Sequence, residues 1–84
     1  MRISMEGTIY EGTPTEILTA FRGESFHHDE FPTVDDYIRH EQAMFVQIIE
    51  QPCPLPEHGT TDERAAALLH NLAGIDALEV LEDA

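Results

Sequence analysis

The chain opens with a two-residue period and then changes to a helical one. Ile3 and Met5 alternate with Arg2 and Ser4, and Thr8, Ile9 and Tyr10 are strand formers. Glu6-Gly7 between them reads as a two-residue turn, with glycine supplying a positive φ. This predicts a β-hairpin over residues 2 to 11 that pairs Met5 with Thr8 and Ile3 with Tyr10. One face then carries Ile3, Met5 and Tyr10. A lone hairpin is marginal in water, so that face must pack on helices or on another chain.

Three helix starts follow, each opened by a threonine. Thr13-Pro14-Thr15-Glu16 has the form of a capping box with proline at the first helical position. Thr33-Val34-Asp35-Asp36 and Thr60-Thr61-Asp62-Glu63 repeat the pattern. In each, the hydroxyl can accept from an orphan N–H while the acid answers the positive end of the helix dipole. The first helix is predicted from Pro14 to Arg22, with Ile17, Leu18 and Phe21 inward and Gly23 as its stop. The second runs from Val34 to about Gln51, with Val34, Tyr37, Ile38, Met44, Phe45, Ile48 and Ile49 near helical spacing. The third runs from Thr61 to Ala73, with Ala65, Leu68, Leu69 and Leu72 inward and Gly74 as its stop. Ala77, Leu78, Val80 and Leu81 fit one face of a short last helix, with a strand as the alternative for residues 76 to 82. The expected fold is α+β: an N-terminal β-hairpin packed on a small bundle of three to four helices. With 84 residues it forms a single domain, 1–84, with room for one small core.

Charge changes this picture more than size does. Seventeen Asp and Glu stand against four Arg and no Lys, for a net charge of −13. That sign disfavours direct binding to nucleic acid or anionic lipid and favours a cationic partner surface. Capping explains Glu16, Asp35, Asp36, Asp62 and Glu63, and the remaining twelve acids still outnumber the arginines. Solubility, or life in high salt, is the plainer reading. Glu outnumbers Asp eleven to six, which weakens the high-salt version. No apolar run approaches the ~18–20 residues of a membrane span, and the N-terminus has no apolar signal segment. One cysteine, Cys53, fits the cytoplasm better than a secreted, disulfide-bonded context.

Candidate chemistry is sparse. SFHHDEF, residues 25 to 31, gathers His27, His28, Asp29 and Glu30, but adjacent histidines in an extended segment point to opposite sides. Asp36 and His40 stand one turn apart, which equally describes an ordinary contact on a solvated helix face. No metal site or cofactor is expected. Cys53 lies between two prolines, away from any helix N-terminus that would activate it. Its loop is expected to be exposed, with the thiol inert or packing, and a reactive or dimer-linking thiol as the alternative. No motif for hydrolysis or phosphate binding is present, so an enzyme is not expected. What stands out is the run of acids from the 24–32 segment into the second helix. Glu24, Asp29, Glu30, Asp35, Asp36 and Glu41 are the expected partner-binding residues. Phe26 and Phe31 would anchor the segment that carries them.

Two segments also carry a resemblance. YEGTPTEIL (residues 10 to 18) and TTDERAAALLHNLAGI (60 to 75) resemble parts of small proteins from phages and mobile elements. They cover about a third of the chain and consist of caps and core positions. With its size and acidity, the chain resembles the anti-CRISPR proteins, several of which imitate DNA. That resemblance implies a non-enzymatic inhibitor bound to the basic DNA channel of a type I CRISPR-Cas surveillance complex. The alternatives are an accessory phage protein acting by self-association, as a homodimer for instance, or an acidic domain shaped by solubility alone.

Overall fold

The structure, a computed structural model, describes residues 1–24 and 30–83. Strands β1 (Arg2–Met5) and β2 (Thr8–Glu11) form the expected hairpin, with Ile3 opposite Tyr10 and Met5 opposite Thr8. Both turn residues, Glu6 at φ 51° and Gly7 at φ 84°, are left-handed. This is the backbone that lets a two-residue loop follow the twist of its strands. The open end of the hairpin is tied by Gly12 N–H donating to Met1 O at 3.0 Å, and by the Met1 amino group donating to Gly12 O at 2.9 Å.

Helices α1 (Pro14–Glu24), α2 (Val34–Ile49) and α3 (Thr61–Gly74) begin where the threonines placed them. Thr13 Oγ1 accepts from Glu16 N–H while the Glu16 carboxylate accepts from Thr13 N–H, at 3.1 and 3.0 Å. Thr33 and Thr60 likewise accept from Asp36 N–H and Glu63 N–H, and at α3 the Glu63 carboxylate accepts in return from Thr60 N–H. The ends differ from expectation. Gly23 and Gly74 lie inside their helices rather than beyond them. α3 ends in a Schellman motif: Ala77 N–H donates to Leu72 O, Asp76 N–H to Ala73 O, and Asp76 takes the left-handed position at φ 60°.

That motif reverses the chain into the segment for which helix and strand were both open, within the expected α+β fold of a hairpin on helices. Residues Glu79–Glu82 form strand β3, not a fourth helix. β3 pairs antiparallel with β1 in a sheet of order β2-β1-β3, with Val80 opposite Ile3 and a bulge next to Arg2. Leu78 is buried, Glu79 exposed and Val80 partly buried against the core, which is a two-residue period. Four residues fit a helix face and a strand face almost equally. Pairing with the otherwise bare edge of β1 decides between them. The helices cover one face of the sheet, where Ile3 is fully buried with Ile17, Leu18, Ile38, Leu68 and Leu69. The opposite face is open and carries Ser4 and Ile9.

The proline segment 52–56 also departs from expectation. Cys53, in a loop expected at the surface, is 3% exposed and belongs to the core. The prolines hold the segment extended but do not determine which side chain turns inward. Two cross-links pin it: Gln42 Nε2 of α2 donates to Cys53 O at 2.8 Å, and Asn71 Nδ2 of α3 donates to Pro54 O at 3.0 Å. A buried thiol cannot bridge two folded copies, so the expected dimer contact at Cys53 is withdrawn.

Candidate functional site

The acids expected to bind a partner fall into different surroundings. Adjacent helical residues point 100° apart, so Asp35 and Asp36 diverge although they are neighbours in sequence. Asp35 turns toward α3. Its carboxylate accepts from Thr61 Oγ1 at 2.8 Å, Arg64 Nε at 3.0 Å and Arg64 Nη2 at 2.9 Å. The Thr61 hydrogen bond and the Arg64 guanidinium hold its pKa below the usual range, against a smaller opposing effect of burial. Asp35 therefore joins two helices. Asp36 is exposed, and its Oδ2 accepts from Thr33 Oγ1 in the cap, which fixes the direction of the carboxylate.

Glu41 sits one turn beyond Tyr37 on the inward side of α2. It is half-buried, and desolvation raises its pKa. Burial also pushes the Tyr37 hydroxyl up, with Glu41 and Glu24 adding to the effect. Those two acids thus share the neighbourhood of Tyr37. Glu24, the last residue of α1, is exposed and accepts from the Tyr10 hydroxyl at 2.9 Å, which raises the pKa of Tyr10. Glu30 is exposed and precedes Phe31, which is buried edge-on to Tyr37 with ring centroids 5.5 Å apart. The anchoring role expected of Phe31 is thus present. Asp29, with Phe26, His27 and His28, lies outside the described residues.

A second group of acids was not singled out in the sequence. Thr15 donates to Asp62 Oδ1 through its N–H at 3.0 Å and its hydroxyl at 2.8 Å, which ties the first turns of α1 and α3 together. Around this junction Glu11, Glu16, Asp62, Glu82 and Asp83 line one open hollow of about 690 Å³. The two helix N-termini offset the mutual repulsion of Glu16 and Asp62. The Thr13 hydrogen bonds lower the pKa of Glu16, while Asp62 raises it. Two of the five were read as helix caps, and two more arrive only because residues 79–82 form a strand beside β1. The signal that could have revealed the group was therefore β3 itself. Glu16 and Glu24 lie eight residues apart on α1, roughly 12 Å at 1.5 Å per residue, so acids stand at both ends of that helix.

The cations are treated differently. Arg64 is held by Asp35 and by Gly59 O, Arg22 donates to Phe31 O, and Arg2 faces Glu82 at 3.4 Å. Among the described residues no charged side chain is buried, and no group of three or more His, Cys, Asp or Glu is arranged to hold a metal ion. No helix is long and apolar enough to cross a membrane. No family model, no curated protein and no solved structure matches this chain.

Proposed function

We propose that this chain is a non-enzymatic inhibitor of the anti-CRISPR kind. It would lay an acidic surface into the Lys/Arg-lined DNA channel of a type I CRISPR-Cas surveillance complex and so exclude target DNA. The observation that carries the reading is the contrast between acids and cations. Three of the four arginines bind groups of the fold itself, while carboxylates stand at the surface at both ends of α1. Fixed carboxylates lose less side-chain freedom on binding than loose ones. The capped Asp36 and the Tyr10-bound Glu24 are of this fixed type. Glu24, Glu30 and Asp36 form one candidate contact, together with Asp29 from the sequence. Glu11, Glu16, Glu82 and Asp83 form a second.

Competition with target DNA for a purified type I complex tests the proposal, with each group reversed to lysine in turn. Inhibition should weaken about tenfold or more between low and physiological salt, because the attraction is screened. Loss of inhibition in one reversed set locates the contact. Absence of competition at low salt with the unaltered protein refutes the proposal.

A second reading has its own support: Ile9 is 53% exposed and Leu81 39% exposed, and alternation along β2 and β3 turns both away from the helices. A self-associating accessory protein would bury that sheet face. Light scattering that shows a salt-insensitive dimer, lost on Ile9→Ser, would favour it over the inhibitor.

A further inference from the structure

One surface of this acidic protein has the opposite character. The outer side of α2 and the proline segment enclose an open hollow of about 610 Å³, lined by Ala43, Val46, Pro52 and Pro54 with Gln42 and Arg39. Arg39 is the sole charged residue among its lining residues, although acids make up seventeen of the eighty-four residues of the chain. Val46 is 46% exposed here, an aliphatic side chain without cover. Beyond Pro54 the surface continues into a second hollow of about 600 Å³ that shares Arg39, Gln42 and Pro54 and adds Leu55 and Arg64. Pro56 and Glu57 also line it.

The walls are set before any ligand arrives. Proline fixes φ at three of the five positions from 52 to 56, and the Gln42 and Asn71 hydrogen bonds hold the segment against both helices. Burial of Cys53 beneath it removes the remaining freedom. A preformed, mostly apolar trough with a few polar groups to set orientation, here Arg39, Gln42 and Gln47, is the usual form of a recognition groove. Its electrostatics select the ligand. Asp35, which lies one turn from Arg39 and senses its charge, already accepts from Thr61 and Arg64. Arg39 at the rim would therefore favour a carboxylate.

We infer that this groove docks an extended segment of a partner protein in which an acidic side chain stands beside aliphatic ones. The aliphatic side chains would lie on Val46 and the prolines, with the carboxylate at Arg39. Its lining includes none of the acidic contact residues, although Arg39 stands one turn from Asp36 on α2, and it does not depend on what those acids bind. The two would act together where a single partner offers both a basic channel and such a segment. An apolar anchor would then add specificity that charge alone does not provide.

The test is a titration of the isotopically labelled protein with blocked pentapeptides, two leucines flanking a central glutamate, glutamine or lysine. It is followed by amide chemical shifts at 150 mM salt. The glutamate peptide should shift Gln42, Ala43, Val46 and Leu55, and bind about threefold to fivefold more tightly than the glutamine peptide, as expected for one exposed ion pair. The lysine peptide should bind most weakly, although the net charge of −13 attracts it. That ordering opposes the overall field, so only a local cation can produce it. Arg39→Gln should abolish the preference for glutamate and leave the glutamine peptide unaffected, and Val46→Ser should weaken all three. Arg39 and Val46 are both exposed, so an unchanged amide spectrum elsewhere confirms each variant is folded. The inference is overturned if no groove resonance moves, if the lysine peptide binds best at these resonances, or if Arg39→Gln leaves the order unchanged. None of these outcomes bears on competition with DNA, so this inference and the proposed inhibition fail separately.

Discussion

Asp35 and Asp36 are adjacent acids with opposite duties, and exchanging each for asparagine separates the two. Three donors converge on Asp35, two of them from Arg64, and its side chain is 34% exposed. A dry charged hydrogen bond is worth ~1.5–3 kcal/mol and an exposed ion pair ~0.2–1 kcal/mol. With a third of the carboxylate in water, the pair with Arg64 belongs near the upper end of the exposed range. The Thr61 hydrogen bond adds a comparable amount, partly kept by an amide oxygen. Asp35→Asn should therefore cost about 1–2 kcal/mol, which is roughly 5–12 °C in Tm for a domain of this size. Asp36→Asn keeps an acceptor at the cap and should cost about 0.5 kcal/mol or less.

Thermal unfolding followed by circular dichroism measures both variants, and the competition assay at a temperature where both are folded measures function. Asp35→Asn should lose stability and retain inhibition, and Asp36→Asn should do the reverse. The pH dependence has a definite sign. The folded pKa of Asp35 is lowered, so its contribution is fully present above the ordinary aspartate value. It is lost as pH falls through the depressed one. The Tm gap between wild type and Asp35→Asn should therefore close on acidification. A gap under 1 °C at neutral pH, or a Tm unchanged while inhibition disappears, would refute the assignment of Asp35 to the fold.

Three other outcomes are expected. Glu41 has a raised folded pKa, so its charged form opposes folding as pH rises above the ordinary glutamate value; Glu41→Gln should raise Tm at pH 7, and the gain should vanish near pH 3. Glu50 ends α2 at φ 60° and ψ 33° and places a negative charge at the negative end of the helix; Glu50→Gly should stabilise by about 0.5–1 kcal/mol in urea titration. Cys53 should react with a thiol reagent about a hundredfold more slowly in the native protein than in urea, because burial hides it and pushes its thiol pKa up; comparable rates would place it at the surface.

What could be read from the sequence was local. The hairpin register follows from alternation plus one turn, and the three helix starts follow from threonine caps, each settled within a few residues. Ile3, Ile17, Leu18, Ile38, Leu68 and Leu69 are the largest fully buried side chains among the described residues, and each lay on a predicted inward face. Ile48 shows the limit of that reasoning. It is near helical spacing, yet it is 66% exposed, while Ile49 next to it in the same turn packs against the core. β3 was ambiguous for a related reason: its partner strand lies at the other end of the sequence, and four residues carry too little pattern to announce it. The acidic site was legible as composition but not as arrangement. Whether a carboxylate reaches solvent or meets Arg64 depends on which helix packs beside it, and a linear charge count cannot express that.

The sheet order β2-β1-β3 has a consequence for synthesis. β1 leaves the ribosome ahead of all three helices, and its second neighbour, β3, follows only after them. Until residue 82 has emerged, the central strand has one partner, and a two-stranded ribbon is marginal in water. Closing so long a loop is entropically costly and must precede the contacts that reward it. The nascent chain therefore carries a bare β1 edge until β3 follows the helices. In that interval the density of carboxylates acts as a safeguard: like charges keep unfinished copies apart until β3 completes the sheet.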